Sequence, residues 1–116
     1  MSSIQAESEF NEAVDAVLLA IEQALEQADG DIDFETVGGI LTIDCGGGGK
    51  IIINRQTPNR EIWLAARSGG FHYRLVGREW ADTRGGPALS ERLRSVVREQ
   101  GGVDVMFALP GAEIGS

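Results

Sequence analysis

Not one lysine or arginine occurs in the first 49 of the chain's 116 residues. The same stretch carries eleven acidic residues, a formal charge of −11, while residues 50–116 come to +3 and the whole chain to −8. The acid is sorted along the chain. A pI near 4.5 argues against a nucleic-acid partner, whose phosphates would be repelled. Cys45 is the only cysteine, which excludes an intramolecular disulfide and a CxxC metal site. His72 is the only histidine, and neither it nor Cys45 stands among the clustered acids, so a closed zinc site has no ligands there. No apolar run approaches the roughly 20 residues that span a bilayer, and no basic, apolar leader opens the chain. A cytoplasmic protein without a membrane partner is therefore expected.

What is present reads as one domain over 1–116, with 42% hydrophobic and 24% charged residues. Phe10, Val14, Val17, Leu18, Ile21, Leu25 and Ala28 recur at spacings of three and four, which predicts an amphipathic helix over about 8–28 ending at Gly30. Beyond it the period becomes two. Ile32, Phe34 and Thr36 alternate with Asp31, Asp33 and Glu35, giving a strand with one apolar and one acidic face. Gly38-Gly39 signals a two-residue hairpin into a second strand over 40–45. A loose tetraglycine turn over 46–49, then strands over 50–55, 61–66, 71–76 and 79–82, extend an antiparallel meander. Pro87 is placed as the first residue of a second helix over 87–100, and a tail over 103–116 keeps enough apolar residues to lie along the core. The expected fold class is α+β: a two-layer sandwich with two helices on one face of a sheet of about six antiparallel strands, the sheet spanning about 31–82.

The candidate site is the acidic stretch over 22–44. Glu12, Asp15, Glu22, Glu26 and Asp29 share one flank of the first helix. Glu22 with Glu26, and Glu26 with Asp29, are like-charge neighbours that each cost about 0.2–0.5 kcal/mol, and acids in a last turn oppose the helix dipole. A segment that breaks local rules in this way is a candidate functional site; the plain alternative is a solvated face kept for solubility. Seven carboxylates, Glu22, Glu26, Asp29, Asp31, Asp33, Glu35 and Asp44, form an oxygen-only donor set suited to hard or borderline cations in open, partly hydrated sites. Trp63 falls on the polar side of its strand near Asn54 and Gln56, where an aromatic serves either cross-strand packing or a protein contact. His72 reads as a solvated strand residue, Trp80 as core, and Cys45 as an inert core thiol. Ser68, Ser90 and Thr57 have no evident base partner, so nucleophilic hydrolysis finds no support.

The segments Gly-Gly-Ile40-Leu-Thr-Ile43-Asp, Lys50-Ile-Ile-Ile-Asn-Arg-Gln-Thr-Pro58-Asn-Arg-Glu-Ile-Trp63-Leu-Ala, Gly-Gly-Phe71-His-Tyr and Trp80-x-Asp82 resemble the frataxin family in its bacterial form, across nearly the whole chain. The resemblance implies a cytoplasmic regulator of iron–sulfur cluster assembly that binds iron (Fe²⁺ or Fe³⁺) weakly, other divalent cations substituting. It implies an acidic ridge on the first helix and first strand, where the seven carboxylates stand, and an exposed sheet tryptophan matched by Trp63. The implied partners are a cysteine desulfurase with a basic patch and the scaffold protein, met through Asp31, Asp33, Glu35, Asn54, Gln56 and Trp63. A monomer without metal is implied, with iron-linked association as an alternative. Gln23 and Gln27 depart from a fully acidic ridge, which points to lower metal affinity or stoichiometry. Two other functions stay open: a ferroxidase, for which no Glu-x-x-His pairing on facing helices is present, and a metal-independent acidic adaptor.

Overall fold

The computed structural model describes residues 3–28 and 32–110. Asp29, Gly30, Asp31 and the last six residues of the tail lie outside the described residues. The elements follow as α1 (Ser3–Glu26), β1 (Asp33–Val37), β2 (Ile40–Asp44), β3 (Lys50–Gln56), β4 (Glu61–Ala66), β5 (Gly69–Val76), β6 (Glu79–Asp82) and α2 (Leu89–Gly101). The six strands form one sheet in sequence order, every neighbour antiparallel. This is the expected two-layer α+β sandwich.

Alternation decides the layers. Leu41, Ile43, Ile51, Ile53, Ile62, Leu64 and Tyr73 point to one face and are fully buried there. The stripes of both helices meet them: Val14, Val17 and Ile21 from α1, and Leu89, Leu93 and Val97 from α2. The Gly38-Gly39 hairpin forms as expected, both residues taking the positive φ that a type I′ turn requires. Trp80 and Asp82 close the far end of the sheet. Trp80 is buried edge-to-face against Phe10 of α1, 6.2 Å between ring centres, and the Asp82 carboxylate faces Arg92 of α2 at 3.7 Å.

Several element ends differ from the sequence reading, α1 closing at Glu26 and β5 opening at Gly69 among them, and three departures have a physical reason. Helix α1 begins at Ser3, ahead of the apolar stripe, whose period marks a helix but not where its first turn starts. Helix α2 begins at Leu89, not Pro87: Ala88 is the N-cap, with an extended ψ of 165°, so the proline lies ahead of the helix. The tetraglycine is not loose. Gly46–Gly48 form a 3₁₀ turn packed under the end of α2, where a Cβ on Gly48 would lie 1.6 Å from the Gln100 carbonyl oxygen. The buried Gln100 side chain ties this corner together. Its Oε1 accepts from the Arg67 N–H at 2.9 Å and its Nε2 donates to the Gly48 carbonyl at 3.2 Å.

The tail lies along the core as far as it is described. Val105 and Phe107 are buried, while Asp104 is held by Arg94 Nε at 2.6 Å and by Arg98 at 2.8 Å. Hydrogen bonds from Arg94 and then Arg98, with their charges, hold the Asp104 carboxyl well below the usual carboxylate range.

Two outcomes are expected. Gly48→Ala has no room for its methyl group, so urea unfolding should show a loss of at least about 2 kcal/mol. Because the folded pKa of Asp104 is depressed, its stabilisation is complete above the unfolded value of about 3.9 and fades as pH falls toward the folded value. Asp104→Asn should therefore unfold more easily than the parent protein at pH 7, and the difference should shrink only below about pH 4.

Candidate functional site

The outer face of the sheet is organised in rows fixed by strand register. Asp33, Asp44 and Lys50 stand opposite one another across β1, β2 and β3. The next row is Glu35, Thr42, Ile52, Ala65 and Gly70. Then come Val37, Ile40, Asn54, Trp63 and His72. Last are Gln56, Glu61, Arg74 and Ala81. The face thus grades from acid at one end to an aromatic pair toward the other, with Val37, Ile40 and Ile52 exposed between them.

The acids divide between the two sides of edge strand β1. Asp33 and Glu35 are exposed on its outer side, Asp33 directly across from the half-buried Asp44. Asp44 is also engaged locally, its Oδ1 accepting the Gly46 N–H at 2.9 Å, which turns the chain into the tetraglycine corner. Glu22 lies on the helix side, half-buried, and accepts a hydrogen bond from Thr36 Oγ1. Glu26 follows one turn later and is exposed. Among the described residues no group of three or more His, Cys, Asp and Glu side chains is placed to hold one ion together. The described carboxylates line an edge and do not converge on a pocket. Such an arrangement offers one or two oxygens at a time to a largely hydrated cation.

The helix flank has compensation that the sequence did not reveal. Arg55 of β3 reaches across the layers to pair with Asp15, and its Nη1 donates to Asn11 Oδ1 at 3.2 Å. Asp15 is therefore a structural anchor of α1 on the sheet, and Arg55, from the Asn-Arg-Gln-Thr segment, is the other half of that clamp. Only the fold brings them together, since they are 40 residues apart.

Asn54, Gln56 and Trp63 all lie on the outer face, as alternation predicts. Trp63 is half-buried and not freely exposed, because His72 opposes it on β5 and the two rings stack at 4.3 Å with a 9° tilt. Strand alternation put His72 on this face, but only the β4–β5 register pairs it with Trp63; the two-residue turn at Arg67-Ser68 sets that register. Nothing in the local sequence distinguishes Glu61 from a solvated strand-end glutamate, yet it is buried. Cys45 is buried on the inner side, and burial, followed by the charge of Asp44, pushes its thiol pKa up, consistent with an inert core thiol.

A family model described as a frataxin-like domain matches residues 3–103. A Paraburkholderia phymatum protein named iron–sulfur cluster assembly protein CyaY is 46% identical over 102 residues, spanning 88% of this chain and 97% of that one. Among solved structures, frataxin from Psychromonas ingrahamii superposes with a TM-score of 0.81 at 32% identity, covering 88% of this chain and 97% of its own. Trimeric yeast frataxin in its ferrous complex superposes with a TM-score of 0.65 at 31% identity, covering 81% and 86% respectively. No helix among the described residues is long and apolar enough to cross a membrane.

Like charges directly opposite one another on adjacent strands destabilise a sheet. Asp33→Asn should therefore stabilise the protein by about 0.2–1 kcal/mol in low salt. The gain should shrink at high salt, because the exposed repulsion it removes is screened there; paired denaturation curves at low and high ionic strength test this.

Proposed function

The chain belongs to the frataxin-like family, and from that premise we propose that it acts in iron–sulfur cluster assembly as a weakly iron-binding regulator. On this reading iron is a cargo or effector met at the surface and not a resident cofactor. Glu22, Glu26, Asp33, Glu35 and Asp44, with Asp29 and Asp31, supply the carboxylates. The same acids meet a basic patch on a cysteine desulfurase, while Asn54, Gln56 and Trp63 meet the scaffold protein.

The observation that carries the reading is the open acidic edge. Hard oxygen donors spread along β1 and the adjoining turn of α1 suit Fe²⁺ or Fe³⁺ held through water, and suit divalent ions of similar hardness. Exposure makes such binding loose and salt-sensitive. Loose binding serves an effector better than a store. Because ion and protein partner would use the same carboxylates, occupancy by one weakens attraction for the other, which makes the edge a point of regulation.

The test is charge reversal on β1. Asp33→Lys combined with Glu35→Lys should weaken desulfurase binding at least about tenfold by calorimetry, as expected where complementary charges are made repulsive. The far-UV circular dichroism should be unchanged, since the reversal at Asp33 sets a cation opposite Asp44 in place of a like charge. Fe²⁺ titration of the parent protein, followed by amide NMR, should shift resonances in 22–44. Unchanged desulfurase affinity of the double variant would remove the partner reading, and the absence of specific iron shifts would remove the metal reading.

A further inference from the structure

On the solvent side of the sheet, a glutamate should be the easiest residue to leave in water. Glu61 is instead 7% exposed. Both of its carboxylate oxygens are in use. Oε1 accepts the Trp63 Nε1–H at 2.8 Å, and Oε2 accepts from Arg74 Nη2 at 2.7 Å. The His72 Nδ1 lies 3.7 Å from Oε1. His72 in turn stacks on the indole. Indole, imidazole, guanidinium and carboxylate thus form one closed set on the outer face.

Register explains why they meet. Glu61 and Trp63 are two residues apart on β4 and share a face; Arg74 stands opposite Glu61 and His72 opposite Trp63 on β5. The indole leans along its own strand toward Glu61 and lies parallel to the opposing imidazole. A tryptophan on an uncovered sheet face would otherwise sample several rotamers, with its N–H satisfied by water.

We propose that Glu61 is a positioning residue for the Trp63 contact: its buried carboxylate fixes the indole plane against His72 before any partner arrives. This rests on the reading that Trp63 and its neighbours meet the scaffold protein. Arg74 neutralises the carboxylate, so the anchor adds no net charge to the surface the partner meets. A side chain already fixed in its bound rotamer loses less freedom on association, which strengthens binding without adding a contact.

The experiment uses the full chain and its Glu61→Ala, Glu61→Gln and Trp63→Ala variants, with the Glu61→Ala/Trp63→Ala double variant. Two readouts are taken: the Trp63 indole N–H resonance in the free protein, and affinity for a bacterial iron–sulfur scaffold protein by calorimetry. Glu61→Ala should move the indole resonance toward that of a solvated indole and weaken scaffold binding about three- to tenfold. Glu61→Gln keeps an acceptor for the indole N–H and should retain the resonance and hold affinity within about twofold of the parent. Trp63→Ala should weaken binding at least about tenfold, and adding Glu61→Ala to it should cost nothing more, since a positioning residue has nothing left to position.

An unmoved indole resonance in Glu61→Ala overturns the proposal, as does a loss in the double variant that equals the sum of the single losses. Unfolding of Glu61→Ala, seen by circular dichroism, transfers the decision to Glu61→Gln: loss of the bound indole signal there also overturns it. If Trp63→Ala binds the scaffold as well as the parent does, the reading of this face as the scaffold contact fails, while the indole resonance still decides whether Glu61 orients the ring.

Discussion

Both helices pack on the same face of a single six-stranded sheet, and that one-sidedness governs the rest of the molecule. The covered face is a conventional apolar layer in which residues such as Leu41, Ile53 and Leu64 have almost no contact with water. The uncovered face has no second layer to hold its side chains in place, so whatever order it shows must come from neighbours within the sheet. Trp63 and His72 hold each other by stacking, and Glu61 is held by Arg74 and the indole. Polar contacts there supply the order that packing supplies on the opposite side.

The acidic half of the chain is subject to the same constraint at its edge. Strand β1 has a neighbour on one side only, and an edge with free hydrogen-bonding groups invites unwanted pairing. Charge on that edge discourages it, at the expense of repulsion within the strand pair. The fold gives two acids of α1 partners of their own: Arg55 pairs with Asp15, and Thr36 donates to Glu22. It leaves Asp33 and Glu35 exposed on the outer side.

What could be read from the sequence followed how local the determining physics is. The α1 stripe, the alternation in β1 and the Gly38-Gly39 hairpin depend on neighbours within a few residues, and each was legible. The placement of Asn54 and Trp63 on one face followed from the same alternation. Contacts that join distant segments were not legible. Asp15 with Arg55, Gly48 under Gln100, and Trp63 against His72 each require a particular packing or register that no local period encodes. Glu61 illustrates the limit. Its composition and position suit a solvated strand end, and only Arg74 and Trp63, both brought near by the sheet, convert it into a buried anchor. The helix start failed for a related reason: Pro87 tolerates a first-turn position without requiring one.

The row geometry also bears on how two proteins could use this surface. Along β3, Lys50 in the acidic row and Asn54 in the tryptophan row are four residues apart, a separation of roughly 13 Å at the rise of an extended strand. A stable protein contact covers on the order of 800 Å² per partner, a patch roughly 30 Å across. Two such patches centred on those rows would overlap on the outer face. On the proposed reading, a desulfurase drawn to the acids and a scaffold protein at Trp63 could bind together only if the desulfurase lay over the β1 edge, leaving most of the outer face to the scaffold protein. Asp33, Glu35 and Asp44 then stand at the border between the two. An ion bound there would alter the charge presented to both partners at once.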